Sequence, residues 1–404
     1  MSRGAGRGAG LRAWTTLVLA SALFFIITAA TFSSLGLALP AMVAEMGWSW
    51  TSAGFGFTLL GFFCGITSAV PASLIRRFGV RANLLAGSVV MGLAFVCLAE
   101  ADGLVLYFLG ASLAGLGYTL LDSVPGTYLL SRLFARPSFP FGLFFTIGGL
   151  GGVAGPLIYA AVIGTTSHWR SYWLLAGAAV VLIGLIAALG VDAKSDIGAV
   201  EAEGDPDIST EAWTMREALQ TRQFWIIAAA YSAFLFCGIT ANSVSVAHLT
   251  QHGVAAVIAG SMVSVEALLN SAARLTGGIL SRFVRAKTLL AVALTSLVIG
   301  LLALAAAHDL AMMLLYAAGI GIGFGLANFA ATILLLDYFG RGAYLELFSA
   351  VNLIGTVGAV APTLAGIARD RIGTFTPFLI GLAVLVGLVM LAVTMMRPPH
   401  KSVP

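Results

Sequence analysis

The sequence predicts an all-α integral membrane protein whose twelve transmembrane helices form two pseudo-symmetric six-helix bundles, and three observations carry that prediction. First, 59% of the 404 residues are hydrophobic and only 9% are charged, against roughly a quarter charged in ordinary soluble domains. Second, twelve apolar runs of about the 20 residues needed to cross a bilayer lie at 14–39, 50–75, 83–100, 103–131, 138–164, 169–190, 223–248, 256–281, 287–307, 309–336, 343–368 and 373–396. Third, one long polar segment, 191–222, holds eight of the 17 acidic residues and divides the chain almost in half.

The elements follow in order from the sequence. A basic tail, 1–13, precedes the first run, which is too long for the apolar core of a signal peptide and is kept as a membrane helix. Residues 14–190 make the first bundle, 191–222 a cytoplasmic linker, 223–396 the second bundle, and 397–404 a second tail. Within the linker, TEAWTMREALQTRQ reads as a short amphipathic helix along the membrane surface. With both termini in the cytoplasm, 17 of the 21 Lys and Arg residues fall inside and only Arg170, Arg369 and Arg371 outside, the asymmetry that orients inner-membrane proteins. The net charge of +4 is thereby a matter of topology and gives no reason to invoke nucleic acid. The remaining basic residue, Arg274, lies inside the eighth run.

The halves repeat. RFGVRANLLA (77–86) follows the second run and RFVRAKTLLA (282–291) the eighth, with one residue deleted; GLGGVAGP (149–156) matches GTVGAVAP (355–362) at an offset of 206. Parallel repeats of this kind place a substrate site near the bilayer midplane, with transport by rocking one half against the other.

Twelve runs, a central cytoplasmic linker and the basic RRFGVR turn resemble the major facilitator superfamily. Its loop motif, Gly-x-x-x-Asp-Arg-x-Gly-x-Arg, is matched here by Arg77, Gly79 and Arg81, with Arg76 at the acidic position; in the second half Ser281 stands there, followed by Arg282. The resemblance implies a gating role for this loop and, with the acid missing twice, an altered charge latch. Within the superfamily, MGWSWTSAG (46–54), REALQTRQFW (216–225), His248 at the end of the seventh run and Asn270-x-x-x-Arg274 in the eighth resemble the monocarboxylate transporter and oxalate:formate antiporter group. That resemblance implies small carboxylate substrates, an Arg in the eighth helix that binds them and, in many members, proton coupling. His248 enters as a cavity candidate on this ground alone.

The stretch EALLNSAARLTGG (266–278) puts Glu266, Asn270 and Arg274 on one helical stripe at steps of four. A charged side chain at mid-bilayer costs about 3 kcal/mol on insertion scales, so Arg274 is expected to face a cavity or a partner. A guanidinium grips a carboxylate through two parallel N–H bonds. The structural alternatives are that Arg274 snorkels to the interface or forms a fixed pair with Glu266. Glu266 is a proton-coupling candidate, a counter-charge, or a residue of the outer mouth. In the fourth run, Tyr118 and Asp122 stand four apart: Tyr118 resembles a family position that bonds substrate, or is an interior Tyr on a backbone carbonyl. Asp122 is a proton carrier, a gate, or a group satisfying backbone freed at Pro125; it corresponds to Asn328 at the repeat offset.

The Gly-rich runs GGLGGVAGP and AGIGIGFGLAN lack the context of a phosphate cradle and read as packing surfaces. Cys64, Cys97 and Cys237 all fall in apolar runs, so neither a disulfide framework nor a metal site is expected. No nucleophile and base cluster, and no cofactor or catalytic residue is expected. The reading is therefore a monomeric, proton-coupled facilitator of small monocarboxylates such as lactate or pyruvate in a bacterial inner membrane. Its partners are the substrate, protons and the bilayer. The alternatives are an organic anion exchanger or an exporter of a larger amphipathic compound, then a non-transporting receptor, and last an enzyme.

Overall fold

The computed structural model describes residues 2–134, 138–166, 168–190, 213–281, 283–340 and 344–399. Arg282, most of the predicted linker and the end of the predicted C-terminal tail lie outside them. The described residues are helical throughout, and the chain divides into two compact units, Met1–Ala199 and Val200–Pro404. Eleven helices among the described residues are long and apolar enough to cross a membrane, and Trp50–Ile66 is a shorter apolar one. Each of the twelve predicted runs thus meets an apolar helix.

The N-terminal unit contains α1 (Ser2–Ala30), α2 (Phe32–Met46), α3 (Trp50–Ile66), α4 (Val70–Ala99), α5 (Leu104–Leu121), α6 (Ser123–Leu133), α7 (Ser138–Thr166) and α8 (Trp169–Gly190). The first run is longer than its hydropathy indicated, since helical backbone starts at Ser2, breaks at Thr31 and continues to Met46. Thr31, at φ −96° and ψ −92°, turns its hydroxyl back to the Ile27 carbonyl at 2.5 Å. The second run, predicted to reach residue 75, ends at Ile66. There the Thr67 hydroxyl bonds the Phe63 carbonyl at 2.5 Å, and the chain restarts at Val70 with Pro71 in the first turn, where a missing N–H costs nothing.

Inside α4, Gly79 has φ +82° and ψ 166°, a region essentially reserved for glycine. The loop motif therefore needs glycine there on backbone grounds, because the chain must turn between Arg77 and Arg81. In the second copy that glycine is the deleted residue, and helix gives way to a turn around Phe283 and Val284.

The C-terminal unit contains α9 (Met215–Leu219), α10 (Arg222–Gln251), α11 (Ala256–Leu280), α12 (Ala286–Ala305), α13 (Leu310–Phe339), α14 (Tyr344–Gly355), a 3₁₀ turn (Thr356–Val360), α15 (Ala361–Ile372) and α16 (Thr376–Met395). The predicted amphipathic helix is only five residues long. It starts with a capping box, in which the Thr214 side chain accepts from the Glu217 N–H at 3.3 Å while Glu217 accepts from the Thr214 N–H at 2.8 Å.

Glycine spacing sets how α13 packs. A Cβ at Gly321 would lie 2.4 Å from the Glu266 carbonyl oxygen of α11, and one at Gly325 2.4 Å from that of Asn270. Two residues before each, Gly319 and Gly323 face α12, where a Cβ would lie 2.5 Å from Gly300 Cα and 2.9 Å from the Ala293 carbonyl. Residues two apart on a helix point to nearly opposite sides, so two interleaved glycine stripes hold α13 between α11 and α12. The expected packing role of AGIGIGFGLAN is thus met by backbone-to-backbone approach.

The repeated Gly-Pro segments differ between halves. α7 runs unbroken through Pro156, with Gly151 and Gly155 against the Phe25 and Ala29 carbonyls of α1. Its counterpart narrows into the 3₁₀ turn at 356–360, and Gly358 lies against Leu235 and Phe236 of α10.

Candidate functional site

The stripe predicted on the eighth run lies on α11, and it divides into two pairs. Glu266 is buried, 7% exposed, and its carboxylate accepts a hydrogen bond from the Tyr316 hydroxyl of α13 at 2.9 Å. Tyr316 is itself fully buried. One turn further, Asn270 Oδ1 accepts from Arg274 Nε at 3.0 Å. Arg274 is exposed on the surface of the C-terminal unit and Asn270 is half-buried. Burial therefore rises along the stripe from the guanidinium to the carboxylate.

The two glycine contacts explain how the stripe is held. Gly321 and Gly325 bring α13 against the turns that carry Glu266 and Asn270, and this close approach sets Tyr316 within reach of Glu266. A hydroxyl–carboxylate bond in a site of low dielectric is stronger than its counterpart in water. Fixing Nε on Asn270 has a different effect: it sets the plane of a guanidinium whose shape suits a bidentate carboxylate. Tyr316 did not stand out in the sequence. A tyrosine one turn before a glycine stripe, facing a helix with a lone acid, was the available signal.

In the N-terminal unit Asp122 is the junction between α5 and α6, with φ −68° and ψ −153°. The break falls three residues before Pro125, whose ring would clash with the carbonyl four residues earlier and which has no N–H to bond it. Asn83, fully buried on α4, donates to the nearby Leu120 carbonyl at 2.7 Å, so a side chain that sequence reasoning passed over takes up backbone exposed by the break. Thr119 Oγ1 donates to the Cys64 carbonyl at 3.2 Å, tying α5 to α3. Tyr118 packs edge-on against Phe32, with ring centroids 5.3 Å apart. Tyr118 and Asp122 are both half-buried.

The other candidates are separate from these groups. Asn328 is half-buried on α13, where its carbonyl accepts from the Thr332 hydroxyl at 2.8 Å. His248 is fully buried in the last turn of α10, 4.4 Å from the His252 ring centroid and 6.3 Å from that of Phe375. Arg77 is exposed and Arg81 half-buried on either side of the Gly79 turn. A cluster that the sequence did not indicate joins three segments of the N-terminal unit: Arg170 pairs with Glu45 and with Asp102 at 3.3 Å, Trp169 Nε1 donates to Glu45 at 2.6 Å, and the guanidinium lies 4.4 Å from the Trp169 ring centroid.

Known proteins resemble this chain along most of its length. It is 25% identical to the MFS-type transporter YhjX of Escherichia coli (strain K12) over 322 residues, 76% of each chain. It is 29% identical to human monocarboxylate transporter 11 over 379 residues, 89% of this chain and 78% of the relative. Among solved structures, the nucleoside transporter NupG superposes with a TM-score of 0.77 at 12% identity, covering 94% of this chain and 99% of the other, a likeness of fold alone. The profile of the Major Facilitator Superfamily matches residues 21–362. With the helical architecture described above, this match identifies the chain as a membrane-embedded transporter of the Major Facilitator Superfamily.

Proposed function

We propose that the protein is a secondary active transporter of small monocarboxylates of the lactate and pyruvate type, coupled to protons and working by alternating access. The observation that carries this reading is the Arg274–Asn270 pair: a permanently charged, planar donor oriented by a neutral acceptor at 3.0 Å. An acid would be held by the guanidinium of Arg274, with Asn270 keeping its plane in register; Tyr118 is the substrate-bonding candidate of the N-terminal unit. The resemblance to human monocarboxylate transporter 11 supports the same substrate class.

Proton coupling rests on charge and on the Glu266–Tyr316 pair. Importing a lone anion against an inside-negative potential costs about 2.3 kcal/mol per 100 mV, which a co-transported proton cancels. Glu266, whose partner is a neutral hydroxyl, is the carboxylate that can exchange that proton within the C-terminal unit, with Asp122 as the candidate in the N-terminal unit. We place both termini in the cytoplasm of a bacterial inner membrane, an orientation that the excess of Lys and Arg on that side supports.

Proteoliposomes test the reading. Purified protein should accumulate labelled lactate or pyruvate when the lumen is alkaline, and calorimetry against a panel of carboxylates should show binding that Arg274→Ala and Arg274→Lys both abolish. Counterflow unaffected by a pH gradient would establish an exchanger instead. Retained carboxylate binding in both Arg274 variants would remove the basis of the assignment.

A further inference from the structure

Three histidines meet at one end of the C-terminal unit, none of them on the α11 stripe. His248 lies in the last turn of α10, His252 caps that helix, and His308 sits in the turn between α12 and α13. Ring centroids are 4.4 Å apart for His248 and His252 and 5.3 Å apart for His252 and His308. His252 Nδ1 lies 2.8 Å from the His248 carbonyl oxygen, and His308 Nδ1 lies 2.6 Å from that of Ala306. A carbonyl only accepts, so in both rings Nδ1 carries the hydrogen and Nε2 is the atom that takes up a proton.

His248 is the fixed member of the group. It is 0% exposed, and its ring lies against the backbone of Leu304 and Ala305 at the end of α12. Around it, Phe375 covers one side, and the Arg369 guanidinium lies 6.0 Å from the Phe375 centroid. Asp370 and Arg371 follow on α15, and Asp309 caps α13 by accepting from the Met312 N–H at 2.8 Å. Among the described residues no three metal-binding side chains are gathered to hold an ion, which leaves ring-to-ring contact as the feature to explain.

We propose that His248, His252 and His308 form a proton-operated latch, which joins the α10–α11 turn to the α12–α13 turn while the rings are neutral and opens when more than one is protonated. Neutral imidazoles pack at these separations, tilted for His248 and His252 and edge-to-face for His252 and His308, with the Nδ1–H of His252 and of His308 satisfied by a helix-end carbonyl. Two imidazolium charges about 5 Å apart repel, by an amount that shifts the closed-to-open ratio on the order of tenfold for a dielectric between water and a protein surface. The buried ring can take no share of water to screen them. On the topology proposed above the latch faces the outside, so it would report external acidity, and it needs no transported substrate to do so.

Hydrogen–deuterium exchange of the purified full-length protein at pH 7.5 and 5.5, corrected for intrinsic exchange rates, tests the latch independently of any transport assay. Protection of peptides covering 249–256 and 304–310 should fall on the order of tenfold at the lower pH. His252→Gln and His308→Gln should each remove that change, the double variant His252→Lys/His308→Lys, with two fixed charges, should reproduce the acidic pattern at pH 7.5, and His168→Gln, in the N-terminal unit, should leave the response intact. Equal protection at both pH values, or an undiminished pH response in both glutamine variants, would overturn the proposal.

Discussion

The Tyr316 hydroxyl donates to the Glu266 carboxylate at 2.9 Å, joining α13 to α11 at a point where both side chains are buried. If this pair exchanges the coupled proton, Glu266→Gln should keep carboxylate counterflow and lose accumulation driven by a pH gradient. Vesicle assays run both ways on one preparation separate the two. Loss of counterflow together with accumulation would show that Glu266 serves binding or folding instead.

Tyr316→Phe removes the donor and leaves a buried carboxylate without it. An unsatisfied buried polar group costs about 1–3 kcal/mol, so the thermal midpoint should fall in this variant. In Glu266→Gln the Tyr316 hydroxyl keeps an amide oxygen to donate to, and the loss should be smaller. Equal midpoints in the two variants would mean that the hydroxyl is not the carboxylate's principal support.

Asn270 orients Arg274 through a neutral amide oxygen. Asn270→Ala should therefore raise the apparent KM for lactate by roughly tenfold, the cost of one lost orienting bond of about 1.4 kcal/mol, while Asn270→Asp, which places a carboxylate on Nε, should weaken binding further. Uptake kinetics over a range of substrate concentrations decide this. Tighter binding in the Asp variant would contradict it.

Overpacking a close-packed interface costs typically 1–3 kcal/mol. Gly325→Ala on α13, whose new methyl would lie 2.4 Å from the Asn270 carbonyl, should lower stability by that order, whereas Gly278→Ala, one turn beyond Arg274 on α11, meets nothing within 4 Å and should be neutral or mildly stabilising. Thermal unfolding in one detergent compares them directly.

Gly79→Ala tests the loop. At φ +82° and ψ 166° a β-carbon is strained by about 1–3 kcal/mol, so the substitution should destabilise the Arg77–Arg81 turn. Gly103, extended and with open space around it, should accept Ala with little change. Limited proteolysis after Arg77 and Arg81 would reveal the loosened turn.

Hydropathy located the apolar helices among the described residues because it senses composition over some twenty residues, and the glycine stripes were legible because spacing alone puts them on faces. The interruptions at Thr31, Thr67–Ala69, Asp122 and 356–360 were not. Each is a backbone event within apolar sequence, and average hydropathy barely changes across it. The Glu266–Asn270–Arg274 stripe could be read from its steps of four, since all three residues share a helix. Tyr316, the partner of Glu266, could not, nor could Asn83, which bonds the Leu120 carbonyl beside the α5–α6 break, because these side chains act between helices, 50 and 37 residues away in the chain. The histidine cluster was hidden for the same reason: two of its rings are near neighbours, and only the fold brings His308 to them.

The duplicated Gly-Pro segment shows how far the two halves have drifted apart mechanically. In the first copy, glycines seated on the main chain of α1 let a proline-containing rod stay straight; in the second, Ala361 stands at the place of Gly155, and a tightened turn has replaced the rod. Nearly the same letters thus form one continuous helix in the first half and a helix interrupted by a 3₁₀ turn in the second. Substitutions that are mild in either should not be assumed mild at the position 206 residues away.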